Sequence, residues 1–311
     1  MSLANIVRPT AFESAAINVG LSNDTYELPE DVQVRVKINW EDFASRAESK
    51  TGRRPTKGGI GVLRDYRVLT DGLEGTCSVV PFDQVLYFAR TQIPQGDYAL
   101  GKKVGFPLAS WAILVSKDDK VLFVRKKGAE GAYENNPYSG FGSLVAPDKD
   151  FETGRLHTAR FLDRSVGGEV GQVLWNARKG VNYLGMNEHD ENSSKVNNGY
   201  DLSFEVGVDL TADKLLASLT EDPQFTSKKE SALVLAEPEQ LRRFAESNPT
   251  THSGIIGLFG YIGSKFGIDE AKKQFEIYRK SGKNLEIIFE TPFYFLPHPK
   301  LKQPIIVPED K

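Results

Sequence analysis

The clearest patterns along the chain are short alternations of apolar and polar positions. Val32, Val34, Val36 and Ile38 alternate with Gln33, Arg35 and Lys37, which predicts a half-buried strand. Leu202 to Leu210 alternates in the same way and predicts another. Trp111-Ala-Ile-Leu-Val115 and Val121-Leu-Phe-Val124 are apolar runs joined by Lys117-Asp-Asp-Lys120, which predicts a hairpin. Glu230 to Ala236 reads as a strand running into Glu237-Pro-Glu-Gln-Leu-Arg-Arg-Phe244, where proline and acidic residues mark a helix start. Gly61-Val-Leu63, Tyr66 to Leu69, Val173-Leu-Trp175, Val181 to Leu184 and Leu285 to Leu296 supply further strand segments.

Helical spacing is shorter-lived. Asp42 to Lys50 and Pro81 to Arg90 fit short helices, the second with proline near its start. Residues 252–282 read as helix. Ile255, Phe259, Ile262 and Phe266 form one apolar stripe, and Ile268, Ala271, Phe275 and Tyr278 a second after Gly267. Gly254, Gly257, Gly260 and Gly263 recur every three residues in the first stripe, each costing about 1 kcal/mol of helix propensity against alanine. That repeat implies either close packing on a neighbour or an irregular helix. Residues 1–30 show little periodicity, and Pro297 to Lys311 is a proline- and lysine-rich, extended tail.

These elements divide the chain into an N-terminal α+β segment (1–104), a larger α/β domain (105–296) and the tail (297–311). The boundary falls where glycine and lysine cluster between Asp97 and Gly105. A length of 311 residues suits one large or two modest domains, and 40% hydrophobic residues can build a normal core. The net charge of −3 gives no drive toward nucleic acid or a membrane surface. The single cysteine, Cys77, excludes an internal disulfide and cysteine-rich zinc sites. With no apolar leader and no run of the roughly 18 apolar residues a membrane span needs, the expectation is a soluble, cytoplasmic protein.

The chemistry worth pursuing lies after the hairpin. A glycine turn, Tyr138-Ser-Gly-Phe-Gly142, is followed by Glu152-Thr-Gly-Arg-Leu-His-Thr-Ala-Arg160. Carboxylates on one face of a short helix could hold Mg²⁺ or Mn²⁺ against a diphosphate and activate a water. Hairpin, glycine turn and a Glu-x7-Arg segment together resemble the core of the Nudix hydrolase superfamily. The resemblance implies a Nudix-like α/β/α sandwich with a mixed β-sheet, preceded by the N-terminal segment. It is carried by Glu152 and Arg160 at the family spacing, and it breaks after Arg160. Phe161, Leu162-Asp163 and Arg164-Ser165 stand where the family pattern asks for glutamates. In a second register Arg164 takes the arginine place, with Val166, Glu169 and Gly171 following. In both registers the glutamate directly after the arginine is absent.

The resemblance makes Glu152 and Glu169 candidate catalytic residues and Glu152, Asp163, Glu169 and Glu230 candidate metal ligands. Arg125, Arg160 and Arg164 become candidate phosphate contacts, since a guanidinium can pair with phosphate directly. The favoured expectation is a degenerate Nudix box that binds a nucleotide or phosphorylated metabolite, or serves as a structural or partner-binding domain. One alternative is an active, metal-dependent nucleoside diphosphate-X pyrophosphohydrolase with relocated carboxylates. Another uses the basic loop Thr51 to Gly59, with Arg53, Arg54 and Lys57, to touch RNA or protein, which the overall negative charge disfavours. His157, Glu188, His189, Asp190 and Glu191 read as surface or packing residues rather than ligands. Walker, nucleophile-elbow and His-Glu-x-x-His motifs are absent from the sequence.

Overall fold

A computed structural model describes residues 2–6, 17–68, 73–88, 95–126, 138–158, 160, 178–188, 200–221, 229–281, 285–289, 294–295 and 305–306. In chain order the elements are β1 (Ser2–Ile6), β2 (Ile17–Ser22), α1 (Glu30–Thr51), β3 (Gly59–Val68), β4 (Leu73–Pro81), α2 (Phe82–Phe88), α3 (Gln95–Val104), β5 (Phe106–Val115) and β6 (Lys120–Lys126). They continue with β7 (Tyr138–Ser139), β8 (Phe141–Leu144), α4 (Pro147–Asp150), β9 (Phe151–Glu152), β10 (Arg155–Leu156), β11 (Arg178–Glu188) and β12 (Tyr200–Val208). The last are α5 (Ala212–Thr220), β13 (Lys229–Leu235), α6 (Pro238–Ser247), α7 (His252–Phe266), α8 (Ile268–Lys280), β14 (Leu285–Phe289), β15 (Tyr294–Phe295) and β16 (Ile305–Ile306).

The chain is mixed α/β, with a large mixed sheet between helices, as the sequence suggested. Strand order runs β11-β12-β5-β3-β4-β2-β10-β9. β5 is the hub. It pairs in parallel with β12, and antiparallel with β3, β6 and β8. β13 and β7 join through β6. The N-terminal strands therefore continue the sheet of the larger domain through β3 and β5. β1 pairs separately, in parallel, with β14.

Strand alternation splits the core in two. Leu108, Ala112 and Leu114 of β5 face an inner core with Leu202, Phe204, Val206, α5 and the N-terminal residues Val19, Leu63 and Cys77. Trp111, Ile113 and Val115 face the opposite way, onto α6, α7 and α8. One glycine of the α7 repeat, Gly257, makes a socket for Trp111. A Cβ on Gly257 would lie 1.9 Å from Trp111 Cζ3, and one on Gly140 would lie 2.7 Å from Trp111 Cε2. The indole is thus held between a helix and a strand turn, and its Nε1–H donates to Ser139 Oγ at 2.8 Å. Of the first apolar stripe, Ile255, Phe259 and Ile262 are buried, whereas Phe266 at the helix end is exposed. Gly267, at φ +94°, then breaks the run into two helices.

The strand expected at Val32–Ile38 is instead part of the 22-residue helix α1, which also absorbs the short helix expected at 42–50. Valines two apart are also valines four apart. Val32, Val36, Trp40 and Ala44 are buried, while Val34 and Ile38 stand 53% and 65% exposed. Burying each valine is worth about 1.5–3 kcal/mol. The helix buries this stripe against Val62, Val80 and Val85, and Gly52 ends it in the left-handed conformation. Gly61-Val-Leu63 and Tyr66, two strand fragments in the sequence, belong to one continuous strand, β3, with a register shift between Leu63 and Asp65.

Candidate functional site

The segment from Pro147 to Arg160 forms the candidate corner. α4 is a single turn with Pro147 at its start, and the buried Asp150 carboxylate accepts from Ala146 N at 2.7 Å. Thr153 (φ 49°) and Gly154 (φ 78°) are both left-handed. A two-residue turn of that kind closes a tight hairpin, here between β9 and β10. Glu152 therefore lies on a strand, which corrects the expectation of a short helix carrying both Glu152 and Arg160. Phe151 packs on the inner core and Leu156 is part of it. By alternation, their neighbours Glu152 and Arg155 lie on the opposite face.

The Glu-x7-Arg spacing has a direct structural meaning. Arg160 Nη2 donates to Glu152 Oε1 at 3.2 Å, and His157 Nε2 lies 3.5 Å from Glu152 Oε2. His157 Nδ1 accepts from Arg160 N at 3.3 Å, which leaves Nε2 as the protonated nitrogen of the neutral ring. The side chains of Glu152 and Arg160 are about half exposed, at 49% and 52%. A carboxylate already facing a guanidinium and an imidazole is a poor open ligand for a divalent cation. Among the described residues, no three His, Cys, Asp or Glu side chains gather as a metal-binding group.

The other candidates divide. Asp163, Arg164 and Glu169 lie outside the described residues, as do Phe161, Ser165, Val173 to Trp175 and the His189 to Gly199 tract. Arg125, on β6, is the backbone partner of Glu230 on β13. Its guanidinium sits 5.0 Å from the centre of the Tyr138 ring, a cation–π contact. Glu152 lies on β9, at one end of the strand order, whereas Glu230 lies on β13, which branches from β5 through β6. The structure thus pairs Glu152 with Arg160, and Arg125 with Glu230 in register, but the strand order does not bring the two pairs together.

Arg54 and Lys57 of the basic N-terminal loop are both held by carboxylates of this chain. Arg54 pairs with Glu41 at 2.5 Å and Glu48 at 3.4 Å. Lys57 pairs with Asp83 at 2.6 Å and sits over the Trp40 ring. Arg35, with the buried Asp97 and Tyr87, forms a partly buried cluster that sequence reading missed. Arg35 holds the Asp97 carboxylate with two hydrogen bonds of 2.8 Å, and the Tyr87 hydroxyl donates to it as well. Burial raises the Asp97 carboxyl, but these hydrogen bonds outweigh it and hold the group below its ordinary range. The Cys77 thiol, buried in the inner core, is pushed up to about 12 by that burial, so it is no nucleophile at neutral pH. No helix among the described residues is long and apolar enough to cross a membrane.

No family model and no curated protein matches the chain. Among solved structures it is similar to "Crystal structure of Tm1382, a putative Nudix hydrolase", at 16% identity and a TM-score of 0.33, over 74% of this chain and 94% of that one.

Proposed function

We propose that the chain is a Nudix-like protein with a degenerate metal site, which binds a nucleotide or another phosphorylated metabolite without hydrolysing it. One observation carries the reading: the Glu152 carboxylate is engaged by Arg160 and faces His157. A group already committed to holding the hairpin against the next segment leaves little charge for Mg²⁺ or Mn²⁺. The sequence adds Phe161, Arg164 and Ser165 where carboxylates would complete a cation site, and arginine there repels a metal but can pair with phosphate. What these residues offer a ligand is therefore guanidinium recognition of an anion rather than metal-assisted attack on phosphorus.

The test is a panel of nucleoside diphosphate-X compounds with Mg²⁺ and Mn²⁺, read for both hydrolysis and melting temperature. The double variant Glu152→Gln/Glu169→Gln is run beside the parent chain. The expected result is no turnover, with at least one phosphorylated compound raising the melting temperature. At a concentration of 100 Kd such a ligand stabilises by about 2.7 kcal/mol. Metal-dependent turnover that the double variant loses would instead establish a rebuilt pyrophosphohydrolase site.

A further inference from the structure

The outer face of the N-terminal sheet has two halves. Val62 and Val80 lie under α1 and α2. Beyond them the same face turns polar. One cross-strand row runs through Asp65, Thr76, Gly20, Arg155 and Glu152, each the register partner of the next across β3, β4, β2, β10 and β9. Their alternate neighbours Tyr66, Val19 and Leu156 belong to or pack on the inner core, so the row faces away from it. It links the N-terminal strands directly to the Glu152–Arg160 corner.

We propose that this row is an anion seat for the phosphate or diphosphate group of the ligand, a proposal that rests on the phosphate-binding reading above. Gly20 is its floor. Among the described residues a Cβ there would meet only Gly75 O, at 3.9 Å, so their packing does not require the glycine. Thr76 and Arg155 flank it, two strand steps apart, or about 10 Å between Cα atoms at about 4.8 Å per step. Both present donors. The row's two carboxylates stand at its ends, and that of Glu152 is drawn to Arg160. Arg155 is exposed and makes no ion pair or side-chain hydrogen bond among the described residues. A guanidinium and a hydroxyl on either side of a glycine fit a phosphate group that brings its own negative charge.

The experiment measures calorimetric binding of pyrophosphate and ADP, in EDTA, to the full chain and to Arg155→Ala and Gly20→Leu. Arg155 is exposed, and a Cβ on Gly20 makes no close contact among the described residues, so both variants should melt close to the parent. The expected result is metal-independent binding that weakens about tenfold or more in each variant. ADP held much more tightly than pyrophosphate would extend the seat to a nucleoside, with the same loss in both variants. If the parent binds and neither variant weakens it, the seat is wrong while the phosphate-binding reading stands. Should binding appear only when Mg²⁺ is added, the direct arginine contact is overturned. If the parent binds neither probe nor any compound of the wider panel, both readings fall. Should Gly20→Leu fail to fold, Arg155→Ala alone decides.

Discussion

Trp111 and Glu152 belong to one stretch of sequence, yet their surroundings could hardly differ more. The indole is 3% exposed and wedged between Gly140 and Gly257, positions at which even a methyl group would collide. Glu152 and Arg160 are about half exposed, and Glu152 lies on a hairpin whose turn glycine, Gly154, has no close neighbour among the described residues. The first region is fixed by volume, the second by charge. Volume constraints in a packed core leave few alternatives, while exposed ion pairs contribute little and are easily changed. A corner of that kind can change its charged residues at little cost to the fold.

The contrast breaks most sharply at Trp111. Trp111→Ala should cost about 3–5 kcal/mol, because the vacated slot is walled by helix and strand backbone that collapses poorly. Gly257→Ala attacks the same slot from the other side. Its new Cβ overlaps the indole, and overpacking of this sort costs about 1–3 kcal/mol, occasionally more. Urea unfolding midpoints measure both. If Gly257→Ala melts like the parent, α7 can shift away from the sheet and the region is not fixed by volume.

Asp97 is an intermediate case, charged but 4% exposed. Asp97→Asn should cost about 1–3 kcal/mol by weakening the Arg35 and Tyr87 bonds to a buried acceptor. The pH dependence has a definite sign. The folded-state pKa is depressed, so this stabilisation is complete above the unfolded value of about 3.9 and is lost as pH falls through the lower folded value. Melting temperatures across acid pH should fall less steeply for Asp97→Asn than for the parent. Parallel slopes would show that other carboxylates account for the acid sensitivity.

Legibility in the sequence follows the same division. The β5–β6 hairpin, β12, β13 with its following helix, and the two stripes flanking Gly267 are readable because each is a local period with a local stop. α1 reads as a strand because valines at 32, 34 and 36, with Ile38, satisfy strand and helix alike. Trp40 and Ala44, continuing the four-residue step, are the signal that decides it. β2 is invisible because its meaning lies in pairing with Leu73–Ser78, far along the chain. The Glu152–Arg160 spacing is visible, but its role is not. Thr153-Gly154 between apolar Phe151 and Leu156 is a hairpin signature that the motif outweighs. The Asp65–Thr76–Gly20–Arg155 row cannot be read at all, since only sheet register assembles it.

The smallest expected effect sharpens the comparison from its other end. A double-mutant cycle on Glu152→Gln and Arg160→Ala should give a coupling of only about 0.2–1 kcal/mol, since both side chains are wet and partly screened by salt. Raising the salt should shrink it further. A coupling several times larger would mean that the corner is as rigidly specified as the Trp111 slot. Glu152 would then be held in place by the architecture rather than by a single exposed pair. The corner would then not be free to exchange its charged residues without cost to the fold. A small, salt-sensitive coupling leaves the corner as charge that function can reassign, with Arg160 able to leave Glu152 when a phosphate offers it a better partner.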